Sequence, residues 1–168
     1  CLFKDGDVIE LGQFNIAVIH TPGHTPACVS YKIEDNVFVG DTLFMPDFGT
    51  ARADFPGGDA KTLYRSIQRI LSLPDGTKIY VGHDYKTPNR EKYAWESTVA
   101  EQKRCNVHVR DGKSEREFVQ MRSDRDAKLD VPKLLLPSIQ LNIRAGTLPI
   151  AEDNGIAYLK VPLSMDKD

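Results

Sequence analysis

A chain of 168 residues, 40% hydrophobic and 27% charged, is long enough for one domain with a buried core, and its composition excludes disordered and fibrous classes. Its 22 basic and 24 acidic residues are interleaved, with a net charge of −2, so there is no electrostatic footprint for nucleic acid or an anionic membrane surface. No stretch approaches the roughly 18 to 20 consecutive apolar residues of a membrane span, and none has the layout of an export signal.

A cytoplasmic protein without nucleic-acid or membrane partners is therefore expected. Cys1, Cys28 and Cys105 lie far apart with no Cys-x-x-Cys spacing, and read as free thiols of a reducing compartment. Residue 1 is a cysteine and "CLFKDGD" does not look like a translation start, so a fragment of a longer protein is the expectation.

In chain order, "DVIELGQFNIAVIH" holds two short β-type runs around Gly12-Gln13 and reads as a hairpin. "CVSYKIE" and "NVFVGD" form a second pair, expected to turn around Asp35-Asn36, where Asn tolerates positive φ. The segment from Thr42 to Gly58, with Pro46, Gly49, Pro56, Gly57 and Gly58, has no sustained period and reads as a long functional loop. "DAKTLYRSIQRILSL" has Asp59 as N-cap and Leu63, Ile67, Ile70 and Leu71 on one face, before Pro74 and Gly76 end the helix.

"KIYV", Lys78 to Val81, is a short strand. Thr98 with Glu101, and Ser114 with Glu117, have capping-box spacing and predict two helices, with a turn at Asp111-Gly112. The last forty residues show weak periodicity and read as an extended tail wrapping the domain. The division expected is 1–110 as the main part and 111–168 as a helix plus extended tail packing on the same domain.

His24, Asp41 and His83 share a context, each following an apolar strand and a glycine, at "PGH", "VGD" and "VGH". Glycine lets the backbone turn sharply there, so three strand ends can present side chains to one crevice. Imidazole and carboxylate are the ligands that zinc and non-haem iron take. Turns also favour Gly and Asp for local reasons, so spacing by itself leaves an ordinary turn role open.

"TPGHT", then "VGDTLF", a Gly/Arg/Asp loop, and "LPDGTKIYVGHDY" together resemble the metallo-β-lactamase superfamily in its glyoxalase II and persulfide dioxygenase branch, over about residues 5 to 105. The resemblance implies an α/β fold, the C-terminal half of an αββα sandwich with an extended family-specific tail. It places His24 at a ligand histidine. Asp41 falls at an aspartate that bridges two metals in dinuclear members and binds one iron in mononuclear ones. His83 falls at the last ligand of the dinuclear enzymes, a position that stands behind the ligands, off the metal, in the mononuclear dioxygenases. His20 matches no ligand and reads as structural; His108, in place of a proline of the family's "NPR" stretch, reads as solvent-facing. The "HxHxDH" segment of the superfamily is absent, so a missing N-terminal segment of the same domain is implied as a partner.

Two branches imply two chemistries. Glyoxalase II relatives are thioesterases in which two metal ions, here two Zn(II), activate a hydroxide. Persulfide dioxygenases use one Fe(II) and O₂ to oxidise glutathione persulfide to sulfite in sulfide detoxification. "GTARADF" with "GGDAKTLYRSI", and "STVAEQKRCN", resemble the dioxygenase pattern, and nearly the whole chain resembles bacterial β-lactamase-hydrolase-like proteins. Ala53, for the Thr of "GRTDF", and His108 depart from that pattern.

The dioxygenase reading is preferred, with the hydrolase second and a non-catalytic scaffold or sulfur-binding module third. For a thiol or persulfide substrate, Arg52 is the candidate for gripping a carboxylate, with a structural pair to Asp54 or Asp47 as the competing reading. Tyr85 and Lys86 are candidates for contact with a glutathionyl group, as are Asn142 and Arg144 from the tail; Cys28 reads as core packing. Half a sandwich would also expose apolar sheet surface, which predicts a missing segment, with a homodimer as a further possibility.

Overall fold

The structure, a computed structural model, describes residues 2–161. Cys1 and the end of the predicted tail, residues 162–168, lie outside the described residues. The chain forms two compact units, one reaching to Lys128 and the other starting at Leu129.

In the first unit, β1 (Val8–Leu11), β2 (Phe14–His20), β3 (Val29–Ile33), β4 (Asn36–Gly40), β5 (Lys78–Val81) and β6 (Glu96–Thr98) form one sheet in chain order. Neighbours run antiparallel except β4 and β5, which are parallel. A parallel pair needs a crossover, and α1 (Ala60–Leu71) lies in that connection. The hairpin at Gly12-Gln13 forms as expected, with Gly12 at φ 62°. The second turn is shifted: Ile33 pairs with Asn36, so Glu34 and Asp35 turn, and the positive φ (49°) belongs to Glu34. Asn36 instead opens β4, its amide donating to the Ile33 carbonyl at 3.4 Å. Strand β6 went unpredicted because three residues are too few to show alternation; pairing with β5 creates it.

Asp59 caps α1 by accepting from the Thr62 N–H at 2.7 Å. Leu63, Ile67, Ile70 and Leu71 are buried against Val37 and Val39 of β4 and Ile79 of β5, each contributing about 1.5–3 kcal/mol by leaving water. Because side chains alternate along a strand, Phe38 faces the other side of the sheet. There it stacks on Tyr80 at 5.1 Å and remains 47% exposed.

Helix α2 (Val99–Cys105) is capped by Thr98, and α3 (Glu115–Asp126) carries the full capping box of Ser114 and Glu117. Val99 and Phe118 join the same core, so the first unit is a sheet with a helical layer on one face. Helix α3 packs on α1, with the Tyr64 and Phe118 rings 5.5 Å apart. It therefore belongs to the first unit, which reaches Lys128.

The second unit contains α4 (Leu135–Asn142) where an extended tail was expected. Pro137 falls in its first turn, where an N–H has no intrahelical acceptor, so the proline is tolerated. Gln140 ties residue 160 to this helix: its side chain donates to the Lys160 carbonyl (2.8 Å) and accepts from the Lys160 N–H (2.7 Å).

Candidate metal centre

The turn after β2 seats His24. Gly23 sits at φ 133°, and a Cβ there would lie 2.3 Å from the Leu63 backbone, so only glycine lets this turn press against α1. The Asp59 N–H donates to the Gly23 carbonyl at 2.9 Å, tying the turn to the helix start. β4 ends at Gly40 (φ 53°), from which Asp41 projects. Beyond β5 the Gly82 N–H donates to the Gly40 carbonyl at 2.9 Å, and a Cβ on Gly82 would lie 3.0 Å from Asp41 Oδ1. The parallel strands thus end side by side and deliver His83 next to Asp41.

The three predicted side chains meet. His83 Nδ1 lies 2.5 Å from Asp41 Oδ1, and His24 Nε2 lies 4.0 Å from Asp41 Oδ2. His24 Nδ1 is 2.8 Å from the Arg52 carbonyl oxygen. A carbonyl only accepts, so Nδ1 carries the hydrogen and the Nε2 lone pair of the neutral ring is free, the tautomer a metal-ligating histidine uses. His24 Nε2 and Asp41 Oδ2 are therefore donor atoms suited to zinc or iron. The other Asp41 oxygen is engaged by His83. Among the described residues no group of three or more His, Cys, Asp or Glu side chains is placed to hold a metal ion, so His24 and Asp41 fit as a partial ligand set.

The loop after His83 is held by a network that sequence reasoning missed. Asp84, with its side chain 6% exposed, accepts from Arg90 at 2.6 and 2.7 Å and from the Ala94 and Lys86 N–H groups at 2.9 and 3.1 Å. Arg90 also grips Asp47 at 2.8 and 3.1 Å. The guanidinium holds both carboxyls below their usual range, and the two carboxylates raise the Arg90 pKa. Only a planar fork spans both partners. Arg90→Lys is therefore expected to destabilise the first unit by about 1.5–3 kcal/mol, and to speed hydrogen exchange at the Ala94 amide.

Tyr85 packs among Phe44, Phe48 and His83, with ring centroids 5.4, 5.1 and 5.9 Å away, and burial together with the Asp41 charge raises its pKa. Lys86 adopts φ 58° and lays its ammonium 4.1 Å over the Tyr93 ring. Arg52 makes a two-pronged pair with Asp54, both contacts at 2.6 Å, and lies 5.1 Å over Phe55. Of the two structural partners considered for Arg52, Asp54 is engaged, while Asp47 is taken by Arg90. Asn142 ends α4 and Arg144 follows it, both in the second unit. His20 Nε2 lies 3.0 Å from the Pro26 carbonyl, a local contact.

His108 corrects an expectation: it is 7% exposed rather than solvent-facing. Its Nδ1 accepts from the Thr50 N–H at 3.0 Å, and the ring packs where a Cβ on Gly49 would stand 2.2 Å away. Burial, with Arg122 and Arg125 nearby, lowers its pKa to about 4 from 6.5. The folded state thus favours the neutral ring, and the unfolded chain takes up a proton first as pH falls. Stability should be lost between pH 6.5 and 4, by on the order of 3 kcal/mol in total. Urea unfolding across that range should show the loss in the parent and a flatter profile in His108→Asn.

Comparison with known proteins gives this geometry a context. Residues 2–83 match the Metallo-beta-lactamase superfamily. The chain is 55% identical to a probable metallo-hydrolase of Burkholderia pseudomallei, over 96% of this chain and 58% of that protein. It is 56% identical to Glyoxylase B2 of Dictyostelium discoideum, over 97% of this chain and 56% of that protein. Against the mitochondrial persulfide dioxygenase ETHE1 of Homo sapiens it is 44% identical over 49% of this chain and 33% of the other. The crystal structure of ETHE1 from Myxococcus xanthus superposes with a TM-score of 0.76 at 38% identity, covering 86% of this chain and 60% of that one. The chain thus spans somewhat over half the length of the first two relatives. With His24, from the turn after β2, brought to 4.0 Å from Asp41 at the end of β4, and a six-stranded sheet under a helical layer, the chain carries a metallo-β-lactamase superfamily domain.

Proposed function

We propose that this chain supplies His24 and Asp41 to a mononuclear Fe(II) centre of a persulfide dioxygenase that converts glutathione persulfide, O₂ and water to glutathione and sulfite. The observation that carries this reading is the His83 Nδ1 contact with Asp41 Oδ1 at 2.5 Å. It engages one carboxylate oxygen and leaves the other on the His24 side, a one-metal arrangement in which His83 orients the ligand. Likeness to the two ETHE1 proteins supports it. The iron, when bound, supplies the open positions at which a persulfide sulfur and O₂ can meet.

The chain's own residues set the conditions. The Arg52 carbonyl keeps His24 in the Nδ1–H form, while Arg90 and Asp84 brace the loop carrying His83. Tyr85 and Lys86 flank the approach and are proposed to meet the glutathionyl group; with its guanidinium engaged by Asp54, Arg52 is the weaker candidate for a substrate carboxylate. Asn142 and Arg144 are proposed as further substrate contacts. The remaining ligands come, on this reading, from a segment outside this chain that also covers the Phe38 and Tyr80 face of the sheet.

The relative named Glyoxylase B2 favours a second reading, a thioesterase with two Zn(II) in which Asp41 and His83 both bind metal. Oxygen uptake on adding glutathione persulfide to the iron-loaded complete protein, this chain together with that segment, separates the two. Uptake matched by sulfite, about one iron per chain, and loss of both signals in Asp41→Ala are expected. Hydrolysis of a glutathione thioester by a protein holding two zinc ions, without oxygen uptake, would overturn the first reading.

A further inference from the structure

The Arg52 carbonyl that holds His24 belongs to the same peptide group as the Ala53 N–H. That N–H donates to Asp126 Oδ2 at 2.8 Å. The other Asp126 oxygen is held by Arg122, from Nε at 3.0 Å and Nη2 at 2.8 Å, and both side chains are nearly fully buried, at 6% and 4% exposure. A trans peptide is planar, with its C=O and N–H pointing in opposite directions. The last turns of α3 are thereby joined to a ring at the end of β2: carboxylate, peptide N–H, peptide C=O, His24 Nδ1–H.

We propose that Asp126 is a positioning residue for His24, acting through the peptide that joins Arg52 to Ala53. The carboxylate does two things. It fixes the plane of the peptide, so the carbonyl stays aimed at His24 Nδ1. It also polarises the amide, because a negative acceptor on the N–H makes the carbonyl a stronger acceptor in turn. A stronger acceptor on Nδ1–H favours the Nδ1–H tautomer and leaves the Nε2 lone pair facing Asp41. Metal-ligating histidines gain these effects when the ring N–H donates directly to a carboxylate; here one peptide unit stands between. Arg122 also donates to the Thr50 carbonyl at 3.2 Å, so the pair clamps both ends of the segment 50–53.

The inference rests on the reading of His24 as a ligand for its use, and its test is separable from that reading. Nitrogen-15 NMR of the metal-free chain reports the His24 tautomer directly. The Nδ1–H form is expected in the parent; an Nε2–H ring would overturn the proposal without any variant. In the double variant Arg122→Leu with Asp126→Asn, the new amide oxygen can still accept the Ala53 N–H but carries no charge. The preference for Nδ1–H is expected to fall about tenfold, and Co(II) affinity, read from paramagnetic broadening of the His24 signals, about tenfold.

Phe118→Leu, which loosens α3 in the core without touching the relay, should leave both readings where they are. Unchanged His24 shifts in the double variant, or an equal change in Phe118→Leu, would overturn the proposal. A parent chain whose His24 is untouched by Co(II) would sink the ligand reading, while the tautomer comparison would still decide the relay.

Discussion

Gly23→Ala is expected to destabilise the first unit by about 3–5 kcal/mol and to abolish the His24–Asp41 juxtaposition. Two costs combine. The φ of 133° is open to glycine and strained for any residue with a Cβ, and that Cβ would stand 2.3 Å from the Leu63 N and Cα atoms. Backbone strain contributes on the order of 1–3 kcal/mol, and forced displacement of a packed helix a similar amount. Gly112→Ala separates the terms: its φ is 85° but nothing lies within 4 Å of the added Cβ. That variant should lose only the strain, about 1–3 kcal/mol. Urea unfolding of both measures the difference, and equal losses would show that the approach to α1 does not matter.

Asp126→Ala should cost about 3–5 kcal/mol. Its partner Arg122 has a side chain only 4% exposed, and removing the carboxylate leaves a buried cation whose hydration was already given up. Burial pulls the Arg122 pKa downward against the Asp126 charge, which marks the same desolvation. The Ala53 N–H also loses its acceptor. Removing both charges together, as in Arg122→Leu with Asp126→Asn, should cost less than Asp126→Ala, since no unpaired ion remains. Urea unfolding of Arg122→Leu, Asp126→Asn and their combination closes a double-mutant cycle, and simple additivity of the single losses would refute the coupling.

The two hairpins and α1 to α3 were legible because each is decided locally. The hairpins alternate around short turns, and α1 shows its apolar face at Leu63, Ile67, Ile70 and Leu71 beneath an Asp59 cap. Ser114 and Glu117 announced α3 through a reciprocal cap that needs only residues three apart. Strand β6 and α4 were hidden: one depends on a neighbour to pair with, and the other begins across a proline that local rules count against a helix. His108 misled because its partner Thr50 is far away in sequence, and nothing near a histidine says whether water or a packed loop will surround it.

The candidate site divides in the same way. Glycine before His24, Asp41 and His83 could be read directly: Gly23 and Gly40 take positive φ, and Gly82 lies close against Asp41 and Gly40. The residue types offered to a metal, and the α/β pattern of strands and helices that carries them, are legible along the chain. Their relations arise in packing: the parallel pairing of β4 with β5 that sets His83 on Asp41, the Arg52 carbonyl that selects the His24 tautomer, and the buried Arg122–Asp126 pair behind it. A ligand's identity is a property of one side chain, whereas its tautomer and aim are set by hydrogen bonds from distant segments, which exist only once the core has packed.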